Sequence, residues 1–229
     1  MNIVVLTGAG ISAESGIQTF RASDGLWENH RVEDVATPEG FLRNPELVQQ
    51  FYNARRAQLK TVKPNAAHTA LAKLQQAKQH SVVLVTQNVD DLHERAGAEV
   101  IHMHGELKKI RCLSCGEVSF WEEDVDGYVP CPNCGQKACL RPDIVWFGEM
   151  PYYMEEIETA LLNADVFVAI GTSSIVYPAA GFVQTAKCYG AKTVEINLGK
   201  TAASRLFDEG VYGQATEAVS YWVEDVLFQ

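Results

Sequence analysis

Short, unbroken apolar runs alternate along this chain with longer stretches in which apolar residues recur every three or four positions. Ile3-Val4-Val5-Leu6, Val82-Val83-Leu84-Val85 and Val166 to Ile170 are continuous, rich in β-branched residues and closed by glycine or small polar residues. Runs of this kind suit strands buried on both faces of a parallel sheet. Val100 to Gly105 reads as a further short strand, in which alternation would put His102 and His104 on one face. Thr193 to Ile196 reads as another, ending at Asn197. Helices are predicted over Pro38 to Lys60, where Phe41, Leu47, Phe51 and Leu59 keep near a 3.6-residue period, and over Pro64 to Gln76. Three more are predicted over Glu155 to Asn163, Ala179 to Tyr189 and Thr216 to Leu227. Asp143 to Gly148 is extended and apolar, and Ala22 to Ala36 reads as a mobile loop over a ligand or as a merely irregular connection. The alternation predicts an α/β fold, a Rossmann-like parallel sheet with helices on both faces.

Composition narrows the class. An apolar content of 47% over 229 residues is enough for a full core. The formal net charge of −10, from 19 basic and 29 acidic residues, disfavours nucleic acid and anionic membrane as partners. No apolar run approaches membrane-spanning length, so a cytoplasmic protein is expected. Of the six cysteines, Cys112, Cys115, Cys131 and Cys134 form C-x2-C-x15-C-x2-C, the spacing of a tetrathiolate zinc ribbon. Four thiolates fill a tetrahedral shell, so one structural zinc per chain is expected, with no open position. The charges of 108–141 balance, whereas a nucleic-acid-reading ribbon would be basic. Cys139 and Cys188 read as ordinary thiols.

The candidate chemistry gathers where strands end. Gly8-Ala9-Gly10-Ile11-Ser12-Ala13 follows the first strand and fits G-x-G-x-x-G/A. That pattern serves a tight turn, backbone approach to a pyrophosphate and close helix packing. The acidic strand end that dehydrogenases place about 20 residues further on is missing. A dinucleotide is therefore expected, bound in some other way. Gln87, Asn88 and Asp90 follow the second strand and are placed to touch it, although Asn-x-Asp is also a common helix cap. Gly171, Thr172 and Ser173, then Asn197, close two later strands in the manner of a second nucleotide-binding half.

Taken in order, GAGISAESGIQTFR, TQNVDDLHERAG, HMHGEL, the paired C-x2-C, LRPDIVWFGE and GTSSIVYPAA resemble the sirtuins over essentially the whole chain, and most closely the bacterial desuccinylase-like class. The resemblance implies an NAD-dependent protein-lysine deacylase that releases nicotinamide and yields 2′-O-acyl-ADP-ribose, acting on acyl-lysine proteins as a monomer. It implies His104 as general base toward a ribose hydroxyl and Asn88, with Asp90, at the nicotinamide pocket. Gln87 lies toward the ribose. Gly8, Ala9, Gly10, Ser12, Ala13, Phe20, Arg21 and Trp27 fall on the pyrophosphate and nicotinamide-covering segment. Gly171, Thr172, Ser173, Asn197 and Ala215 fall on the adenosine side, and Val145 and Phe147 line the acyl-lysine tunnel. His93 and His102 stay structural. Tyr52 and Arg55, three apart on a helix, match the pair that meets an acidic acyl group, so desuccinylation and demalonylation join deacetylation. By their residues alone, Arg55-Arg56 reads rather as a solvated helix face with Tyr52 in the core. Gly199 stands where many relatives carry an acidic residue. The expected organisation is an NAD-binding domain from 1–30, 66–107 and 142–229, a helical insertion at 31–65 and a zinc ribbon at 108–141. Its rivals are an ADP-ribosyltransferase using the same bond cleavage, a hydride-transferring dehydrogenase and a nonenzymatic zinc-ribbon adaptor.

Overall fold

The computed structural model describes residues 1–19, 26–174 and 176–228. In chain order the strands are β1 (Asn2–Thr7), β2 (Leu26–Trp27), β3 (His30–Arg31), β4 (Ser81–Thr86), β5 (Ile101–His102), β6 (Gly105–Cys112), β7 (Val118–Phe120), β8 (Leu140–Ile144), β9 (Val166–Ile170), β10 (Lys192–Asn197) and β11 (Glu209–Tyr212). The α-helices are α1 (Val32–Val35), α2 (Pro38–Arg43), α3 (Pro45–Leu59), α4 (Ala66–Gln76), α5 (Leu92–Arg95), α6 (Met154–Leu162), α7 (Phe182–Cys188) and α8 (Ala215–Leu227). Six strands form one parallel sheet in the order β11-β10-β9-β1-β4-β5.

The unbroken apolar run of β1 has a direct cause. Ile3 and Val5 pack on one face against Leu71 and Leu74 of α4 and Val219 and Val223 of α8. Val4 and Leu6 pack on the other against Ile157 and Leu161 of α6 and Phe182 and Val183 of α7. Both faces of the strand are dry, so neither can be polar. Because β4 and β9 flank β1, the chain leaves β1 to build one half and returns to build the other. The strand order reverses there, and a crevice opens beyond the carboxyl ends of β1 and β9.

The predicted helix over Pro38 to Lys60 is two helices. Thr37 accepts from the Gly40 amide at 2.9 Å with Pro38 next, and Asn44 accepts from the Leu47 amide at 3.1 Å with Pro45 next. Each pair is a capping residue followed by proline at the first helical position, so the chain must restart at Asn44. The predicted strand over Val100 to Gly105 ends at His102, and β6 begins only at Gly105. Gly105 has φ +80°, and a Cβ there would sit 2.0 Å from the Asp143 carbonyl oxygen, so only glycine fits. The glycine-rich segment after β1 coils as a 3-10 helix, Ala9–Ser15. Strand β11, which no periodicity announces, forms the sheet edge beside β10.

A second, antiparallel sheet, β7-β6-β8, carries the cysteine pairs over its own core of Ile110, Val125 and Leu140. Helices α1 to α3 share a third cluster with Leu92, Leu107, Ile144 and Trp146. Between Trp27 and His30, which pair across β2 and β3, Glu28 and Asn29 both have positive φ, +50° and +65°. This is the two-residue hairpin turn that suits the right-handed strand twist. The hairpin leans on α3 through Trp27, edge-on to Phe51 at 5.0 Å and to Tyr52 at 6.0 Å.

Candidate active site

Beyond β1 and β9, two backbone segments meet so closely that side chains are excluded. The Gly10 amide donates to the Gly171 carbonyl at 2.8 Å, and the Gly8 amide donates to Ile170 at 2.9 Å. A Cβ on Gly10 would lie 2.6 Å from the Gly171 Cα, and one on Gly171, at φ +60°, 2.5 Å from the Ile11 nitrogen. The crevice above them holds about 660 Å³. Gly8, Ala9, Gly10 and Ala13 line it from the first loop, and Gln87, Asn88 and Asp90 from the end of β4. Gly171, Thr172 and Ser173 line it beyond β9, with Asn197 and Ala215 on the same side. The amide of Gln87 donates to the Thr172 hydroxyl at 3.0 Å, tying the two halves together, and that of Asn197 donates to the Thr172 carbonyl at 2.8 Å within the second half. A glycine-floored crevice at a strand-order reversal, walled by small polar residues, fits a dinucleotide.

Ser12 stands behind this surface. Fully buried, it donates to Asp90 at 3.0 Å and accepts from the Asn88 amide at 3.2 Å, and that amide also donates to the Gly8 carbonyl at 3.2 Å. Asp90 also accepts the Leu92 amide at 3.1 Å, but it stands one residue before the cap of α5, Asp91, whose side chain makes no capping bond, so the helix-cap reading of Asn-x-Asp does not hold. Burial pushes the Asp90 carboxyl up to about 6, against the pull of the Leu92 amide and the Ser12 hydroxyl. Behind them Thr7 donates to Thr86 at 2.8 Å and meets the His93 Nε2 at 3.0 Å, while the buried His93 Nδ1 has no hydrogen-bond partner.

His104 lines the crevice. Its Nδ1 lies 3.1 Å from the Gln87 carbonyl oxygen, which can only accept, so Nδ1 carries the proton and Nε2 keeps a free lone pair. Burial lowers its pKa below the usual 6.5, partly offset by that hydrogen bond. The neutral imidazole is thus held in the tautomer a general base requires. His102 does not share this face, because the strand carrying both ends at His102. Its Nδ1 donates to the Asn88 carbonyl at 2.9 Å and its Nε2 to Glu94 at 2.5 Å, which makes it an imidazolium. Burial opposes that charge, but the Glu94 carboxylate carries its pKa above the usual value.

Farther in, Trp27, Tyr52, Val145 and Phe147 line the same crevice. Val145 and Phe147 are anchored by amides donating to the His104 and Ala36 carbonyls, at 2.9 and 3.0 Å. Tyr52 is fully buried; its oxygen accepts the Trp146 indole N–H at 2.9 Å, and burial keeps the phenol protonated. Trp146 is itself held by Arg141, whose guanidinium lies 3.5 Å from the ring centroid and pairs with Glu149. Arg55 does not line the crevice. It pairs with Glu28 at 2.8 Å, the two side chains 18% and 11% exposed. Neither arginine is the solvated face that α3 could have offered, since Arg56 is buried and donates to the carbonyls of Leu107 and Glu123. Phe20 and Arg21 lie outside the described residues. Sequence reasoning missed Glu14, which lines the crevice and accepts from the Thr216 amide and hydroxyl at 2.9 and 2.8 Å, and also Glu28. An acidic residue one turn into the glycine segment is the only local sign of the first.

Cys112, Cys115, Cys131 and Cys134 converge, with all four sulfurs within 4.8 Å of one another. Two of the edges, Cys112 to Cys134 and Cys115 to Cys131, measure 3.8 Å. A tetrahedron with zinc–sulfur bonds of about 2.3 Å has edges of about 3.8 Å, so the cysteines fit zinc. Gly116 and Gly135, with φ +78° and +73°, return amide hydrogen bonds of 2.9 Å to Cys112 and Cys131, closing each knuckle. The set lies on the β7-β6-β8 sheet and its loops, and none of the four lines the crevice.

The sequence model of the Sir2 family matches residues 8–178. The chain is similar to the NAD-dependent protein deacylase of Shigella flexneri, 62% identical over 228 residues that cover 98% of this chain and 84% of that one. Its structure is similar to a Sir2 homolog–NAD complex, with a TM-score of 0.89 at 41% identity over 99% of this chain and 89% of that one. It is also similar to a Sir2–p53 peptide–NAD+ complex, with a TM-score of 0.80 at 30% identity over 99% and 92%.

Proposed function

The chain belongs to the Sir2 family, and on that footing we propose that it is an NAD-dependent deacylase of protein lysines. The observation that carries this reading is the glycine-floored crevice with a single neutral histidine, His104, whose free nitrogen is fixed by the Gln87 carbonyl. When bound, NAD supplies the electrophilic ribose carbon, the departing nicotinamide and the hydroxyl that receives the acyl group. His104 takes the proton from that hydroxyl at Nε2. Asn88 and Asp90, locked by Ser12 and the Gly8 carbonyl, form a fixed polar wall that would hold the nicotinamide amide. Val145 and Phe147 align the acyl-lysine, and the apolar ring of Trp27, Tyr52 and Trp146 keeps water from its acyl end.

Acyl choice belongs to the same proposal. Tyr52 has its oxygen filled by Trp146, which leaves its proton to donate, and Arg55 lies one helical turn on; together they suit succinyl and malonyl groups. The zinc expected at the four cysteines holds the small sheet together and takes no part in the chemistry. Lysine-bearing proteins are the substrates, and we read the enzyme as a cytoplasmic monomer with no nucleic-acid partner, in keeping with its −10 charge. No helix among the described residues is long and apolar enough to cross a membrane.

The test is incubation with NAD and matched acetyl- and succinyl-lysine peptides, reading nicotinamide release and the acylated ADP-ribose by mass spectrometry, with His104→Tyr as control. Acyl-ADP-ribose from both peptides is expected. Nicotinamide release with ADP-ribose attached to protein instead would mark a transferase, and no release would end the proposal.

A further inference from the structure

Arg55 already has a carboxylate. Its Nη1 lies 2.8 Å from Glu28, and both side chains are mostly buried. Yet the pair is poorly made. The hydrogens of Nη1 are not aimed at an acceptor, and Nε is buried without a partner, so most of the guanidinium's planar fork is unused. Tyr52, one turn earlier on α3, faces the crevice, while Arg55 turns toward the β2–β3 hairpin. Among the described residues the crevice lining holds no lysine or arginine, but it holds Glu14, Asp90 and Glu149. Glu149 already holds Arg141, so an acyl group ending in a carboxylate would meet no cation in that lining unless Arg55 were given up to it.

We propose that Glu28 is a specificity-determining residue: its carboxylate stands in for the acyl carboxylate at Arg55, and acidic acyl groups are accepted by exchange of partners. This rests on the reading of Arg55 as the acyl-carboxylate receptor. Acetyl-lysine brings no charge and leaves the Glu28–Arg55 pair intact. A succinyl or malonyl group must break it, so the strength of that pair is subtracted from the binding of acidic acyl groups alone. With Glu28 neutral, Arg55 is a mostly buried cation without a counter-charge, and the incoming carboxylate recovers the full interaction. Glu28 sits at the tip of a hairpin that leans on α3 through Trp27, so the exchange also loosens the hairpin's hold on the helix.

The experiment measures kcat/KM for acetyl- and succinyl-lysine peptides of one sequence, at saturating NAD, in the parent enzyme and in Glu28→Gln, Glu28→Asp, Arg55→Met and the Glu28→Gln/Arg55→Met double variant. Glu28→Gln is expected to raise the succinyl-to-acetyl ratio by about five-fold, through a lower succinyl KM, the size of a partly buried ion pair. Glu28→Asp, with a shorter reach, moves it the same way by less, and serves if Glu28→Gln does not fold. The double variant is expected to show no gain over Arg55→Met. A ratio unchanged or lowered in Glu28→Gln, while Arg55→Met loses succinyl turnover, overturns the exchange and leaves the acyl reading standing. A ratio unchanged in Arg55→Met overturns the acyl reading, and the exchange with it.

Discussion

Replacing Asp90 with asparagine gives a direct measure of what burial does in the wall of the crevice. The Asp90 carboxyl is 5% exposed, and its pKa stands at about 6 against 3.8 for a free aspartate. The fold therefore prefers the protonated acid. Its contribution is fully present below about 3.8 and is lost as the pH rises through about 6. The displacement is roughly two units at about 1.4 kcal/mol each, so ionised Asp90 costs the free protein about 3 kcal/mol above pH 7. Asparagine keeps the acceptor for the Leu92 amide and turns an amide toward Ser12, whose hydroxyl can accept it. Most of the penalty, about 2 kcal/mol, accumulates between pH 4.5 and pH 8. Urea unfolding of the NAD-free proteins across that range is expected to show Asp90→Asn gaining about 2 kcal/mol on its parent. In thermal melts at pH 8 the same gain corresponds to about 4–8 °C for a chain of this size. Every other titrating group is common to both proteins and drops out of the difference. A gap that stays flat with pH would refute the reasoning, because it would mean that Asp90 is ionised as readily in the fold as in water.

Three further outcomes are expected. Gly171→Ala places a Cβ 2.5 Å from backbone at φ +60°, so calorimetry should find NAD binding weakened at least ten-fold, while Gly199→Ala, with nothing within 4 Å, binds as the parent does. The pH profile of kcat/KM, which reports the free enzyme, should fall on its acid side with a midpoint below 6.5, since burial lowers the pKa of His104; a midpoint above 6.5 would place the proton elsewhere. Metal analysis should return one zinc per chain, and its removal with a thiol reagent should abolish hydrogen-exchange protection in β6, β7 and β8 while β1 and β4 stay protected.

What the sequence made legible, and what it hid, follows from range. The strands β1, β4 and β9 could be read because burial on both faces leaves no polar positions, and the zinc knuckles because their ligands are near neighbours in the chain. Asn44-Pro45 was there to be read as a helix restart, but the apolar period runs across it without a break. Strand β11, Glu-Gly-Val-Tyr at the sheet edge, has one face open and too few apolar residues to register. The exchangeable partner of Arg55 was out of reach: Glu28 lies 27 positions away, and only the hairpin turn aims it at α3. Likewise the separation of His102 from His104 depends on where a two-residue strand stops, which alternation assumes but cannot supply. Phe20 and Arg21 were read from the motif alone.

The central place of β1 shapes how the molecule is made. It is synthesised before either neighbour: β4 follows about 80 residues later and β9 about 160. Until both arrive, a strand of five buried residues has open hydrogen-bonding edges, the condition under which nascent chains associate wrongly. The anchoring of Glu14 by Thr216 comes later still, spanning 202 positions. The crevice wall is therefore among the last features the polypeptide completes during synthesis, and a chain stopped before α8 would carry His104 and Asn88 but lack that anchor.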